Sequence, residues 1–230
     1  MQPNLSMRLL EAWEHGRAQH PLRRALTMLQ VARPEASVLE LAAMSIGARD
    51  RALLELREQL FGPQFQSVAT CPECAECLDL TFSTGNVPGA GHAAPAGEFH
   101  FAHQGKTVAV RMPTTADLAE AASAENRAEA LLARCAPEAP KSAWAEIQNH
   151  MAEWDPMAQV WMELSCPSCR HQWRAVFDIA GYLWIELGDR AKQLLREVDG
   201  LARAYGWGER EILALSSQRR RAYLSLATGG

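Results

Sequence analysis

Three things are missing from this 230-residue chain, and each absence closes off a class of function. Charges interrupt every apolar run well before it reaches membrane-spanning length, and the opening MQPNLSMRLLEAWEHGRAQH holds no apolar stretch of signal-peptide length. The chain therefore reads as a soluble protein kept in a reducing cytoplasm, with no membrane partner. A basic excess is also missing: 23 Lys and Arg stand against 27 Asp and Glu, a formal net charge of −4. A chain built to neutralise phosphate backbones usually carries the opposite surplus, so nucleic acid is not the expected partner. Finally there is no H-E-x-x-H, G-x-S-x-G or G-x-G-x-x-G. The single G-K-T at Gly105 to Thr107 has His100 where a phosphate-binding loop needs glycine, so it reads as a hairpin turn. No enzyme class is suggested.

Cysteine is scarce as well, yet five of the six lie in two small clusters, CPECAEC at Cys71 to Cys77 and CPSC at Cys166 to Cys169. Each cluster sits between two short runs of near-alternating apolar residues, in FQSVATCPECAECLDLTF and VWMELSCPSCRHQWRAVFDI. That pattern predicts two β-hairpins with a cysteine turn at each tip. A tetrahedral structural zinc site wants four thiolates, commonly supplied as two C-x2-C turns, and Cys71, Cys74, Cys166 and Cys169 are that set. With all four positions filled by protein no water site remains for catalysis, so the Zn2+ is expected to be structural. A thioredoxin-like redox pair would need C-x-x-C after a parallel strand and opening a helix, which hairpin text does not offer. Cys77 either replaces Cys74 as a ligand or is spare, and the strand beginning at Leu78 favours the spare role. Cys135, in Ala-rich helical text, reads as a small apolar residue.

Around these hairpins the text is mainly helical. Three or four short helices are expected between Ser6 and Phe61, with Pro21 at a first helical position, a capping box at Ser37 and Glu40, a further start at Ser45, and a stop at Gly62 and Pro63. STGNVPGAGHAAPAG reads as an exposed loop, and EFHFAHQGKTVAVRM as a further hairpin turning at Gln104 and Gly105, with His100 and His103 as surface histidines on opposite faces. Helical period returns at Thr114 or Thr115, with Asp117 in the first turn, and runs through Ala-rich text to Cys135 and then from Pro137 to Trp154. The longest helical pattern carries Leu183, Leu187, Leu194, Val198, Leu201 and Tyr205 and closes at Gly206; two short helices follow, the second capped by Ser216 or Ser217. Arg219, Arg220 and Arg221 read as a solvated face or a contact for an acidic partner. Trp161, Trp173 and Trp184 are expected to pack over the second cysteine turn, and Trp13, Trp154 and Trp207 to lie in the core or at a partner interface.

The expected class is α+β, mainly α-helical, with helical N- and C-terminal parts around a small zinc-ribbon-like β-hairpin module that carries a helical insertion. Along the chain this gives five stretches: 1–65 helical, 66–112 the first cysteine hairpin and the adjacent hairpin, 113–156 the helical insertion, 157–180 the second cysteine hairpin, and 181–230 helical.

The order of these parts, from LRRALTMLQVARPEASVLELAAMSIGARDRALLELREQLFGP through CPEC, VRMPTTADLAEA and CPSCRHQWRAVFDIAGYLWIEL to LARAYGWGEREILALSSQRRRAYLSLA, resembles the T4-type baseplate hub assembly family of contractile phage tails and bacterial contractile injection systems. The resemblance runs from about Leu22 to Ala227. It implies a non-enzymatic hub component or assembly chaperone whose partners are other baseplate, hub or spike proteins, located in the cytoplasm of the host or producer cell or incorporated in the particle. The family's cysteine pairs fall on Cys71, Cys74, Cys166 and Cys169. The glycine that often follows C-P-x-C is Ala75 and Arg170 here, so a residue with a Cβ is expected to take a left-handed backbone position after each turn. The alternative is a zinc-ribbon nucleic-acid or transcription accessory protein using Lys106, Arg111, Arg170 and Arg174, among which Glu73, Glu76, Asp79 and Glu163 are interspersed. Under the baseplate reading, the C-terminal segment from Gly206 to Ala227 reads as an element that docks on a protein partner.

Overall fold

A computed structural model describes residues 3–92 and 97–227. The fold is α+β and mainly helical, with three separate two-stranded antiparallel hairpins among the described residues. Contacts gather the chain into two compact units, residues 1–36 with 180–230 and residues 37–179. This grouping joins the first helices to the last ones rather than following sequence order.

In the first unit lie α1 (Pro3–Gly16), α2 (Pro21–Ala32), α8 (Ile179–Tyr205), α9 (Glu209–Ala214) and α10 (Ser217–Ala227). Pro21 fills the first turn of α2, where its missing N–H costs nothing, and Gly206 closes α8 at a positive φ of 70°. Leu183, Leu187, Leu194 and Leu201 recur along one face of α8 and are fully buried. The ring of Trp184 lies so close to Gly16 that a Cβ there would come within 2.6 Å of it, and the Arg24 guanidinium covers that ring at 4.4 Å. Trp184 therefore packs in this helical core, not over the second cysteine turn as its position in the chain suggests.

Charge inside this unit corrects the reading of the arginine run. Arg220 is fully buried, whereas Arg219 and Arg221 are exposed. Its Nε donates to Glu197 Oε2 at 2.7 Å, and its Nη atoms donate to the Leu215 carbonyl and, at 3.5 Å, to Ser6 Oγ. The other Glu197 oxygen accepts from Arg190 at 3.1 Å. A buried guanidinium needs its charge and its donors matched, and one carboxylate flanked by two arginines does both. Ile212 and Leu213 are buried too, so the segment after Gly206 contributes to this unit's core.

The second unit opens with α3 (Val38–Ala42), which starts at a capping box between Ser37 and Glu40, and α4 (Ile46–Phe61), capped by Ser45 and ended by Gly62. Three hairpins follow, pairing β1 (Gln64–Thr70) with β2 (Cys77–Ser83), β3 (Glu98–His103) with β4 (Lys106–Arg111), and β5 (Val160–Ser165) with β6 (Gln172–Phe177). Between the second and third lie α5 (Thr115–Ala121), α6 (Arg127–Cys135) and α7 (Trp144–Trp154). The Ala-rich text is thus broken after Ala121 and restarted by Asn126, whose side chain caps α6. The insertion has a core of its own, in which Phe101, Val108 and Val110 of the middle hairpin meet Leu132, Ile147 and Met151, and Phe99 stacks on Trp154 at 4.5 Å.

Insertion and helix α4 are stitched together by polar contacts. Asp155 is buried and accepts from the Gly47 N–H and the Ser45 hydroxyl at the start of α4. A Cβ on Gly47 would lie 1.8 Å from that carboxylate, so the position requires glycine. The loop after β2 is less exposed than expected, since Val87 is buried and Arg51 donates to the carbonyls of Gly89 and Ala90. Residues 93–96 of that loop lie outside the described residues. His100 is exposed, but His103 is half-buried and contacts Glu146 at 3.4 Å.

Asp117 caps α5 together with Thr114 and accepts two bonds from Arg111 and one from Arg134 at 2.9 Å. Burial opposes its ionisation, yet the Arg111, Thr114 and Arg134 hydrogen bonds hold its carboxyl well below the usual carboxylate range.

Two predictions follow from these buried charges. Arg220→Ala or Glu197→Ala should each cost about 3–5 kcal/mol in denaturant unfolding, against about 0.5 kcal/mol for Arg219→Ala or Arg221→Ala. Because the Asp117 pKa is lowered by folding, its stabilisation is complete above the unfolded value near ~3.9 and declines as pH falls below it. The stability difference between the natural chain and Asp117→Asn should therefore be constant from pH 7 to about 5 and shrink below about 4, read from urea midpoints across pH.

Candidate metal centre

The two cysteine hairpins are built alike from the turn outward. In the first, the Cys71 N–H donates to the Glu76 carbonyl at 2.8 Å and the Ala75 N–H to the Cys71 carbonyl at 3.0 Å. In the second, the Cys166 N–H donates to the His171 carbonyl and the Arg170 N–H to the Cys166 carbonyl, both at 2.9 Å. Each turn must then enter its return strand through a left-handed residue, and these are Ala75 at φ 59° and Arg170 at φ 63°, the two positions expected from the missing glycines. Below the turns, Thr70 pairs with Cys77 and Ser165 with Gln172.

The bases of the same hairpins are locked by aromatic rings. Phe65 faces Phe82 across the first hairpin and stacks on it at 4.8 Å, and Phe177 of the second hairpin meets both rings edge-on at 5.5 Å. The Arg57 guanidinium lies 3.8 Å over the buried Phe65 ring. This cluster fixes the mutual position of the two hairpins, and the sequence reading missed it. The signal was there: once the turn sets Thr70 opposite Cys77, counting outward along the strands puts Phe65 opposite Phe82.

At the tips the turns meet. The sulfurs of Cys71, Cys74, Cys166 and Cys169 all lie within 4.8 Å of one another, with Cys71 to Cys169 and Cys74 to Cys166 each at 3.6 Å. Cys71 and Cys166 are buried against Leu78, with Leu80 and Trp173 packed beside them, while Cys74 and Cys169 are exposed. Trp161 instead lies beneath the guanidinium of Arg174, which also pairs with Glu163 at 3.2 Å. Cys77 and Cys135 do not join the four. Cys77 is exposed on β2, and Cys135 is buried in the insertion core, where burial pushes its thiol up to about 11.

The electrostatics of the four are those of a donor set wanting a cation. The Cys169 N–H pulls the Cys166 thiol down to about 7, burial working against it and the Ser168 N–H with it. The Glu76 N–H pulls on Cys74 in the same way, but the sulfurs of Cys169, Cys166 and Cys71 together with burial outweigh it and push that thiol up to about 12. Removing protons one after another from adjoining sulfurs meets mounting repulsion, which a bound cation reverses. The spacing also fits a metal. Four sulfurs about 2.3 Å from a tetrahedral centre stand roughly 3.8 Å apart, near the 3.6 Å found here. The set can hold a metal ion, and thiolates in tetrahedral array suit zinc.

The left-handed residues give a test of the turn geometry. A Cβ at such a position costs about 1–2 kcal/mol, and glycine returns part of that gain through its unfolded-state entropy. Ala75→Gly should therefore raise stability by about 0.5–1 kcal/mol at fixed metal content, and Ala75→Val should lower it, measured as shifts of the denaturation midpoint.

None of the described helices is long and apolar enough to cross a membrane. No family model, no curated protein and no solved structure matches this chain.

Proposed function

We propose that the chain is a non-catalytic assembly protein, a component or chaperone of the baseplate hub of a contractile phage tail or injection system, in which Cys71, Cys74, Cys166 and Cys169 hold a structural zinc ion. The observation that carries the metal half is the convergence of four sulfurs from two turns 92 to 98 residues apart into one tetrahedral-sized set. When bound, the ion supplies the positive charge that lets all four sulfurs remain deprotonated side by side. The chain's residues supply the rest: the Glu76 N–H bonds to the Cys74 sulfur and the Ser168 and Cys169 N–H groups to that of Cys166, Leu78, Leu80 and Trp173 pack beside the buried pair, and four protein donors would complete the coordination without a place for substrate.

The hub half is supported by the run of motifs from about Leu22 to Ala227 that resembles the baseplate hub assembly family. Zinc-ribbon binding of nucleic acid gains little from the site, because Arg174 is paired with Glu163 and Arg111 with the buried Asp117. Protein purified under reducing conditions should carry one equivalent of zinc by elemental analysis, and it should co-purify with hub, tube or spike proteins of a contractile tail when these are co-expressed. Substoichiometric zinc would overturn the metal half. Zinc-loaded protein that retains none of those partners, and that shifts DNA or RNA at moderate salt, would overturn the hub half.

A further inference from the structure

The four sulfurs differ in what a reagent arriving from water can reach. Cys74 and Cys169 are exposed, whereas Cys71 and Cys166 are each 1% exposed. The sulfur of each exposed cysteine lies 3.6 Å from that of a buried cysteine on the opposite hairpin: Cys169 beside Cys71, and Cys74 beside Cys166, both contacts being part-buried. Both contacts run between the hairpins, while the whole set spans up to 4.8 Å. Every exposed cysteine of the set thus stands next to a buried one on the other hairpin.

From this geometry we propose that the cluster is a peroxide-responsive clasp, which on oxidation by a small hydroperoxide exchanges its metal for two disulfides between the hairpins, Cys71 with Cys169 and Cys74 with Cys166. The proposal rests on the metal reading above. In each pair the exposed thiolate attacks a peroxide oxygen, the O–O bond breaks, and a sulfenic acid forms as hydroxide leaves. The buried thiolate then attacks that sulfur, the S–S bond forms, and a second hydroxide leaves. Two thiolates and one hydrogen peroxide give one disulfide and two hydroxides, the sulfurs losing the two electrons that the peroxide gains. Two peroxides consume all four donors, and the ion departs. The hairpin tips remain joined, now covalently, so oxidation changes the charge and metal content of the tip without untying it.

Cys77 takes no part. Leu78 is buried against Cys71 and Cys166, and alternation along β2 turns Cys77 to the opposite face of the hairpin. The competing outcome is a disulfide inside each C-x2-C turn, which would leave the two hairpins unlinked.

The test is titration of the zinc-loaded full-length protein with hydrogen peroxide, following zinc with a chromogenic chelator and mapping disulfides by non-reducing peptide mass spectrometry. Cleavage after Glu73 separates Cys71 from Cys74, and partial reduction with stepwise alkylation then tells Cys166 from Cys169 and assigns the pairs. The expected result is release of one zinc per two peroxides, links from Cys71 to Cys169 and from Cys74 to Cys166, restoration of zinc binding by a thiol reductant, and the same behaviour in Cys77→Ser. Protein that never carries zinc would overturn the metal reading and this proposal with it. Zinc-loaded protein that forms links within either C-x2-C turn, links to Cys77, or loses zinc without any disulfide would overturn the clasp and leave the metal reading standing.

Discussion

Two short hairpins with little core of their own are held together at two points, and the site depends on both. At the base, Phe65, Phe82 and Phe177 pack ring on ring beneath Arg57, an apolar contact that owes nothing to metal. At the tip, the same two hairpins bring four sulfurs within 4.8 Å of one another, and there the contact is electrostatically incomplete. The high position of Cys74 shows how strongly its crowded neighbours oppose a further thiolate, a repulsion that a divalent cation bound by the four would reverse. The base aligns the tips, and an ion held by the four sulfurs would make the alignment binding. A cross-link between residues 92 to 98 apart also removes much unfolded-chain freedom, about 4–5 kcal/mol in the chain-entropy account for a loop near that length.

Both units use the same device away from the sulfurs, a buried carboxylate shared by two arginines. Glu197 lies between Arg220 and Arg190 in one, and Asp117 between Arg111 and Arg134 in the other. Such groups add little net stability over apolar packing, but they punish every arrangement that leaves a charge unmatched. In the first unit the group ties α8 to α10 and, through Ser6, to α1. These are elements from opposite ends of the sequence, whose apolar surfaces alone would tolerate several registers.

What was legible in the sequence was local. Caps at Ser37, Ser45 and Thr114, stops at Gly62 and Gly206, the three hairpins, and even the left-handed strain at Ala75 and Arg170 follow from chemistry within a few residues, and each is where that chemistry puts it. The four cysteines were legible for a different reason: two turns of one kind are incomplete alone and complete together. What could not be read was contact between distant residues of ordinary type. Nothing near Arg220 marks it as fully buried while Arg219 and Arg221 are exposed, because its partners Glu197 and Ser6 lie 23 and 214 residues away. Trp184 misled in the same way, since nearness in sequence to the second cysteine turn says nothing about which core a long helix joins. The break in the Ala-rich text after Ala121 was visible only as Asn126, a capping residue in a run otherwise suited to helix.

The geometry also decides what the metal does not hold. The stretch between the cysteine hairpins leaves from β2 and returns into β5, and the ring contact of Phe82 with Phe177 keeps the bases of those hairpins together. That stretch has its own core around Phe101, Ile147 and Met151, and it is sewn to α4 by Asp155, by the Ile46 N–H bond to the Pro113 carbonyl, and by the bridge between Ser45 and Thr114. None of these contacts passes through the four clustered cysteines. Loss of an ion held there would therefore loosen the hairpin tips first, while the insertion keeps its contacts with α4. Among the described residues of this unit, the tip of the hairpin pair is the part whose order a metal held by the four cysteines would set.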